Sequence, residues 1–206
     1  MATEALTTLG KRGTFEFSEK KSVFIGYAAP VSSEAEALAF VAEIKAKHSD
    51  ARHNVSAYVV GGACHASDDG EPQGTGGVPV LNVINGAELT NVCCVVTRYF
   101  GGTLLGVGGL VRAYSEGAKI AVQAAKIKIM AQSADFLLRC GYDFFGKLEY
   151  YLNEHGVLVL STQFGEDVST AVRIRKEEIP AFEHGITELS SGKLVPQLIS
   201  DGWNEM

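Results

Sequence analysis

The sequence predicts an α+β protein of two domains, and three observations carry that reading. Residues 131–206 alternate strand and helix signals in the order β-α-β-β-α-β, the ferredoxin-like arrangement. Residues 1–130 show a different order, with a hairpin signal ahead of mixed strands and helices and a long glycine-rich passage. Charge divides at the same place: twelve basic residues balance twelve acidic ones up to Met130, whereas six face twelve from Ala131 onward, so the whole net charge of −6 lies in the second part. A chain of 206 residues accommodates two cores of modest size.

In the first domain Gly13 to Glu19 alternates apolar and polar residues, and Ser22 to Ala28 follows a charged turn, which predicts a hairpin. Ser32 or Ser33 can cap a helix whose apolar stripe is Leu38, Val41 and Ile44 and which ends near His48–Asp50. Val55 to Val60 reads as a strand, and Cys64 to Gly77 as a polar, glycine-rich connection. Pro79 fits the first turn of a short helix through Val80, Val83 and Ile84, closed by Asn85-Gly86. Asn91 to Phe100 is a buried strand turning at Gly101-Gly102 into a helix from about Leu104 to Lys126.

In the second domain the strands are Asp135–Cys140, Val157–Phe164, Val168–Lys176 and Lys193–Ile199. The two helices are Asp143–His155, with Phe144, Leu148, Tyr151 and Leu152 on one face, and Glu178–Ser190, entered through Pro180 with Phe182, Ile186 and Leu189 inward.

Composition narrows the function classes. The start Met-Ala-Thr-Glu lacks the basic and apolar regions of a signal peptide, and no apolar run approaches the ~18–20 residues that span a bilayer, so a cytoplasmic protein with no membrane contact is expected. Cys64, Cys93, Cys94 and Cys140 fit no Cys-x-x-Cys spacing and read as buried reduced thiols, with Cys93 and Cys94 on opposite faces of one strand. A neutral domain joined to an acidic one argues against a general nucleic-acid coat, while a local basic groove stays open.

Three segments could carry function. In Ala66-Ser-Asp-Asp-Gly-Glu-Pro-Gln-Gly-Thr-Gly-Gly, the carboxylates of Asp68, Asp69 and Glu71 repel unless a cation joins them, which suggests a metal, an arginine or a basic partner; the plainer reading is a solvated turn. In Val96-Thr-Arg-Tyr-Phe-Gly-Gly-Thr-Leu-Leu-Gly-Val-Gly-Gly-Leu-Val-Arg-Ala-Tyr, a strand delivers Arg98 and Tyr99 to a glycine turn that opens a helix, a setting for phosphate, with Arg112 and Tyr114 following on that helix. Neither a P-loop nor a dinucleotide fingerprint matches, and close packing is the alternative use for the glycines. The third, Asp50-Ala-Arg-His-Asn, places Arg52 and His53 at a strand mouth. No Ser-His-Asp or Cys-His signature appears.

Lys20-Lys-Ser-x-Phe-Ile, Asp50-Ala-Arg-His, Ser67-Asp-Asp-Gly-Glu-Pro-x-Gly-Thr and Arg98-Tyr-Phe-Gly-Gly-x-x-Leu-Gly-x-Gly-Gly-Leu-Val-Arg-Ala-Tyr, in that order, resemble the IMPACT/YigZ family. The resemblance implies a first domain similar to domain IV of elongation factor G, with a left-handed β-α-β crossover, and a second similar to that factor's domain V. It implies translation regulation in eukaryotic relatives, by competition for the co-activator of the initiation-factor kinase, and translation-linked roles in bacterial ones. Carried over residue by residue, the shared surface is Arg52, His53, Ser67, Asp68, Asp69, Gly70, Glu71, Thr75, Arg98, Tyr99, Gly101, Gly102, Arg112 and Tyr114. Val23 and Val78 stand where relatives often carry a basic residue.

The expectation is therefore a non-catalytic module without cofactor or metal. It would recognise RNA or a ribosome-associated protein, with Arg52, Arg98 and Arg112 on phosphate or an acidic partner. The rival is a metal-dependent phosphoryl or phosphodiester hydrolase using Asp68, Asp69 and Glu71. A third option is that acids and arginines pair with each other and lock the loops. The sequence does not indicate an oligomeric state.

Overall fold

The computed structural model describes residues 5–206, so the Met-Ala-Thr-Glu start lies outside the described residues. The chain divides into two compact units, Leu6–Lys128 and Ile129–Met206. No helix among the described residues is long and apolar enough to cross a membrane.

The first unit is built on an antiparallel five-stranded sheet. Its strands are β2 (Gly13–Glu19), β3 (Ser22–Pro30), β4 (His53–Val60), β5 (Ala63–Ser67) and β6 (Val92–Tyr99), in the order β2-β3-β6-β4-β5. A short strand β1 (Ala5–Leu9) precedes them, bridging through Thr7 to Leu89. Strand alternation feeds two cores. Phe24, Ala28, Val55, Ala57, Val92, Cys94 and Val96 face helices α2 (Gly77–Gly86) and α3 (Val107–Ala125), while Tyr27, Tyr58, Cys93 and Val95 face α1 (Glu34–Lys47). Cys93 and Cys94 thus separate to the two faces as expected, and burial pushes the Cys93 thiol up to about 12. Cys64 is exposed on β5, contrary to the expectation that all four thiols are buried.

This layout fixes a handedness. Strands β3 and β4 both pair antiparallel with β6 between them, so they are parallel to each other and α1 joins them across one face. Strands β5 and β6 likewise flank β4 and are joined through α2 across the other face. A half-turn about the sheet normal superposes the direction and order of these two connections but leaves their helices on opposite faces. One crossover is therefore left-handed, against the strong rule for parallel connections.

Helix α1 starts as the sequence suggests. Ser33 Oγ accepts from the Glu36 N–H at 3.2 Å, and Glu36 reaches back to the Ser32 N–H at 2.7 Å, a reciprocal cap. Its buried stripe is Ala37, Phe40 and Ile44, whereas Leu38, expected inward, is 52% exposed. Residues 63–67, expected to be part of a connection, form the short strand β5, although Ala-Cys-His-Ala-Ser holds none of the β-branched, Phe, Tyr or Trp side chains that favour strands.

The second unit has β7 (Ile127–Cys140, which begins before the unit boundary), α4 (Tyr142–Glu154), β8 (Leu158–Phe164), β9 (Val168–Arg175), α5 (Ile179–Ser190) and β10 (Gln197–Glu205). Its order β10-β7-β9-β8, antiparallel throughout, is that of the expected ferredoxin-like sheet. Phe136, Leu138, Leu148, Leu152, Val172, Phe182 and Ile186 form the core between sheet and helices. Both β7 and β10 run further than their apolar signals, and Arg173 locks β9 to β7 by donating twice to Asp135, at 2.7 and 3.0 Å. That pairing holds the Asp135 carboxyl below the usual range.

Helix α3 lies against β2 and β3 through small residues, Ala113, Gly117, Ala118, Ala121 and Ala125. Gly26 on β3 abuts the carbonyl of Gly117, so a methyl there would collide with helix backbone. Backbone cannot yield as a flexible side chain does, and Gly26→Ala should cost about 3 kcal/mol by urea unfolding, in the upper range of overpacking effects. The same change at Gly86, which has open space around it, should be close to neutral.

Candidate functional site

Most of the candidate residues named from the sequence, Arg112 excepted, converge at one end of the first sheet, where β4 starts, β6 ends and the loop of residues 68–76 between β5 and α2 folds back. His53 and Arg98 are directly paired across β4 and β6. The loop reaches them because Asp69 adopts φ +46° and Gly70 φ +86°, the left-handed region that an Asp-Gly pair tolerates.

At the centre is a buried ion pair. Arg98, 5% exposed, donates from Nη1 to Glu71 Oε1 at 2.6 Å, and the same oxygen accepts from the Tyr114 hydroxyl at 2.7 Å. Glu71 is itself 8% exposed. Arg98 Nη2 lies 3.4 Å from Ser22 Oγ, which also accepts from the Gly101 N–H at 3.2 Å. The guanidinium faces Phe24 and Phe100, 5.6 and 5.4 Å from the ring centroids, while its Nε has no hydrogen-bond partner among the described residues. Burial, followed by the Glu71 hydrogen bond and charge, pushes the Tyr114 hydroxyl far above its usual value, so it stays protonated as a donor.

The other two acids point elsewhere. Asp68 accepts from the N–H groups of Gly74 at 2.8 Å, Gly76 at 3.0 Å and Gly77 at 2.8 Å, and so closes its own loop onto the start of α2. Burial alone would raise this carboxyl, but the three N–H groups outweigh it and hold Asp68 below the usual carboxylate range. Asp69 accepts from Lys45 Nζ at 2.6 Å and from the Asn54 N–H at 2.6 Å, and the Asp69 carbonyl accepts from His53 Nδ1 at 2.8 Å. Its carboxyl is likewise lowered, with burial opposing Lys45 and the Asn54 N–H. Ser67 Oγ accepts weakly from the Asp69 N–H at 3.4 Å, and Thr75 donates to the Pro72 carbonyl at 2.6 Å.

The three carboxylates therefore do not share a cation, and among the described residues no group of three or more His, Cys, Asp or Glu side chains is placed to hold a metal. The hydrolase reading needs the three acids around one cation, and Asp68, Asp69 and Glu71 instead turn to separate internal donors. Arg98, expected to reach phosphate, is instead enclosed and paired with Glu71. Pairing of acids with internal cations, the third option from the sequence, describes Glu71 and Asp69.

A second network supports the mouth of β4. The Tyr99 hydroxyl donates to Asp50 at 3.0 Å, so it accepts from His48 Nδ1 at 2.8 Å, and His48 Nε2 accepts from Tyr27 at 2.6 Å. Burial, then the nearby Lys47 charge, lowers the His48 pKa and keeps the ring neutral for this chain of bonds. The network ties the Asp50–His53 turn to β6.

What remains outward is different in kind. Arg52 is exposed and lies over the half-exposed ring of Phe100, 5.6 Å from its centroid. Beyond Phe100 the loop turns at Gly101, where a side chain would strike the Lys21 carbonyl, and at Gly102, with φ +82°. Leu104 and Val107 are 82% and 65% exposed. Helix α3 then begins with no side-chain cap and no acid in its first turn, and Arg112 is exposed on it, beside an open groove of about 670 Å³ that Lys20, Glu116 and Lys119 also line. Val23 is half-buried and Val78 exposed. Arg112 is apart from the Glu71–Arg98 centre, which holds Tyr114 of the same helix.

Ser22, Asp50 and Phe100 lie inside the quoted motifs without standing among the candidate site residues, and Lys45 and His48 lie outside those motifs. Lys45 is one of several lysines on an exposed helix face and carried no signal.

Comparison with known proteins bears on the same segments. A family profile described as "Impact N-terminal domain" matches residues 20–122, and one described as a domain of unknown function, DUF1949, matches residues 138–193. The chain belongs to the IMPACT family. The IMPACT family member YvyE of Bacillus subtilis (strain 168) is 43% identical over 195 residues, covering 90% of this chain and 87% of that protein. YigZ of Escherichia coli (strain K12), another IMPACT family member, is 33% identical over 180 residues, 85% of this chain and 88% of its own. A crystal structure described only as that of a hypothetical protein matches with TM-score 0.62 and 30% identity, over 96% of this chain and 98% of that one. The IMPACT profile spans all four quoted motifs.

Two outcomes follow from the Asp68 geometry. Asp68→Ala leaves three N–H groups without their acceptor and should cost about 2–3 kcal/mol in urea unfolding, the range for hydrogen bonds to a charged group. Because its carboxyl is depressed in the folded state, the stability it supplies is present above the unfolded value of about 4 and is lost as pH falls through the folded value. Unfolding measured across that acid range should show a shallower loss for Asp68→Asn than for wild type; an unchanged slope would contradict the assignment.

Proposed function

We propose that the first domain is a non-catalytic RNA-recognition module linked to translation. The observation that carries this reading is the sorting of side chains at the site. The loop carboxylates Asp68, Asp69 and Glu71 turn to internal donors, while Arg52 over Phe100, the exposed Leu104 and Val107, and Arg112 are left outside. An aromatic ring with a guanidinium beside it is a platform for an unstacked base. An uncapped helix start free of acids, with an arginine nearby, suits a phosphate. The implied likeness to domain IV of elongation factor G supports the link to translation.

In this role Arg98 is a positioning residue. It holds Glu71, and through it the 68–76 loop, and its guanidinium lies 5.4 Å from the centroid of the Phe100 ring.

Co-sedimentation with ribosomes tests the proposal. Wild type should associate in a salt-sensitive way, and Phe100→Ala and Arg52→Ala should each weaken association about tenfold, within the ~1–3 kcal/mol typical of a stacked base. Arg112→Ala should weaken it and flatten the salt dependence. Association that survives digestion of the RNA would point to a protein partner instead, and no association at any salt would overturn the reading.

A further inference from the structure

The second unit carries an exposed feature that its core does not need. At one end of its sheet, Phe164 closes β8 and is 64% exposed, and Tyr142 opens α4 and is 57% exposed. Their rings stack with centroids 6.4 Å apart, Phe145 meets Phe164 edge-on at 5.6 Å, and the Tyr142 hydroxyl pins the hairpin by donating to the Gly165 carbonyl at 2.8 Å. Exposed rings held in a fixed geometry keep their π faces available at little entropic cost.

Carboxylates surround them. Asp143 lies in the first turn of α4, and Glu166 and Asp167 form the exposed β8–β9 turn with Gly165. Cross-strand register puts Phe164, Val168 and Cys140 in one row. Burial raises the Cys140 thiol, and the charges of Asp143 and Asp167 raise it further, because both converge on the end of that row. The cations nearby do not neutralise the group. Lys147 donates to the Leu189 carbonyl and lies over Phe144, and strand alternation sends Arg139 to the opposite sheet face from Cys140. The unit as a whole carries all the excess acid of the chain.

We propose that this end of the second unit docks an arginine-bearing segment of a basic protein. A guanidinium stacks on the Tyr142–Phe164 rings and donates to the carboxylates of Asp143, Glu166 or Asp167. Arginine fits better than lysine because its planar fork stacks on a ring and pairs with a carboxylate at once. The segment has a track to follow. Strand β8, Leu-Val-Leu-Ser-Thr-Gln-Phe, pairs with β9 alone among the described residues and carries no charge or proline, and past its one register shift, from Ser161 to Phe164, it offers a regular free edge to which an extended chain can add. This site is independent of the RNA reading, which concerns the other unit.

Fluorescence anisotropy with the full chain and labelled decapeptides of alternating glycine with arginine, lysine or glutamate tests the proposal. The arginine peptide should bind, the lysine peptide several-fold more weakly, and the glutamate peptide not at all. Phe164→Ala, at an exposed chain position, should weaken arginine-peptide binding about tenfold with the melting temperature nearly unchanged, in keeping with a partly desolvated cation–π contact, and Tyr142→Ala should weaken it comparably while lowering the melting temperature through the lost bond to Gly165. Asp143→Asn with Asp167→Asn should weaken it comparably. Because the ring substitutions leave net charge unaltered, equal binding by those variants would reduce the effect to diffuse attraction and overturn the proposal. So would failure of the arginine peptide to bind at low salt. Sedimentation that shows a dimer dissolved by Phe164→Ala would also overturn it, assigning the edge to a second copy.

Discussion

The pairing of Glu71 with Arg98 organises the first domain, because it joins parts of the chain that nothing local would bring together. Glu71 comes from the loop ahead of α2, Arg98 from the end of β6, Tyr114 from α3 and Ser22 from the start of β3. A buried ion pair in isolation is weak evidence of stability, since desolvation of both charges offsets their attraction. Here one Glu71 oxygen takes two donors and the guanidinium lies against two rings, so the charges that burial strips of water are met by protein groups. Removing either partner would leave the other charge enclosed and alone. The geometry of the whole loop cluster follows from that constraint.

The same constraint turns the acids of the site toward separate partners. A metal-dependent hydrolase needs its carboxylates to converge on one cation. Asp68 gives both oxygens to backbone N–H groups, Asp69 gives one each to Lys45 and Asn54, and Glu71 turns a single oxygen to Arg98 and Tyr114. The internal work of these residues is to stiffen two loops, and the surface they stiffen is aromatic, apolar and cationic. The second unit follows a different rule: its Asp135–Arg173 pair is a structural lock between neighbouring strands, and its remaining acids are left on the surface.

Much of the fold was legible because local signals and tertiary packing agree. Ser33 caps α1, Pro79 and Pro180 sit in first turns, and the stripes of α4 and α5 meet their sheet, as spacing suggested. Expectation failed where a residue's type and its place diverge. Leu38 is apolar yet outward because Ala37 and Phe40 fill the interface, and β5 forms because β4 offers it a partner, not because its side chains favour a strand. The site was legible in its membership and not in its direction. Sequence shows that Asp68, Asp69, Glu71 and Arg98 are charged and near in pattern, but charge alone does not say whether a residue meets a neighbour or a visitor. The same limit hid Lys45, which becomes informative only when Asp69 is seen beside it.

The most direct test is a double-mutant cycle on Glu71→Gln and Arg98→Met, read by urea unfolding. If the pair organises the domain, each single change should cost about 3–5 kcal/mol, as when one half of a buried ion pair is removed. The double variant should then be less destabilised than the two singles combined, with a coupling of about 2 kcal/mol or more. Effects that simply add, to within about 0.5 kcal/mol, would mean that the two side chains act independently and that something else holds the loops together.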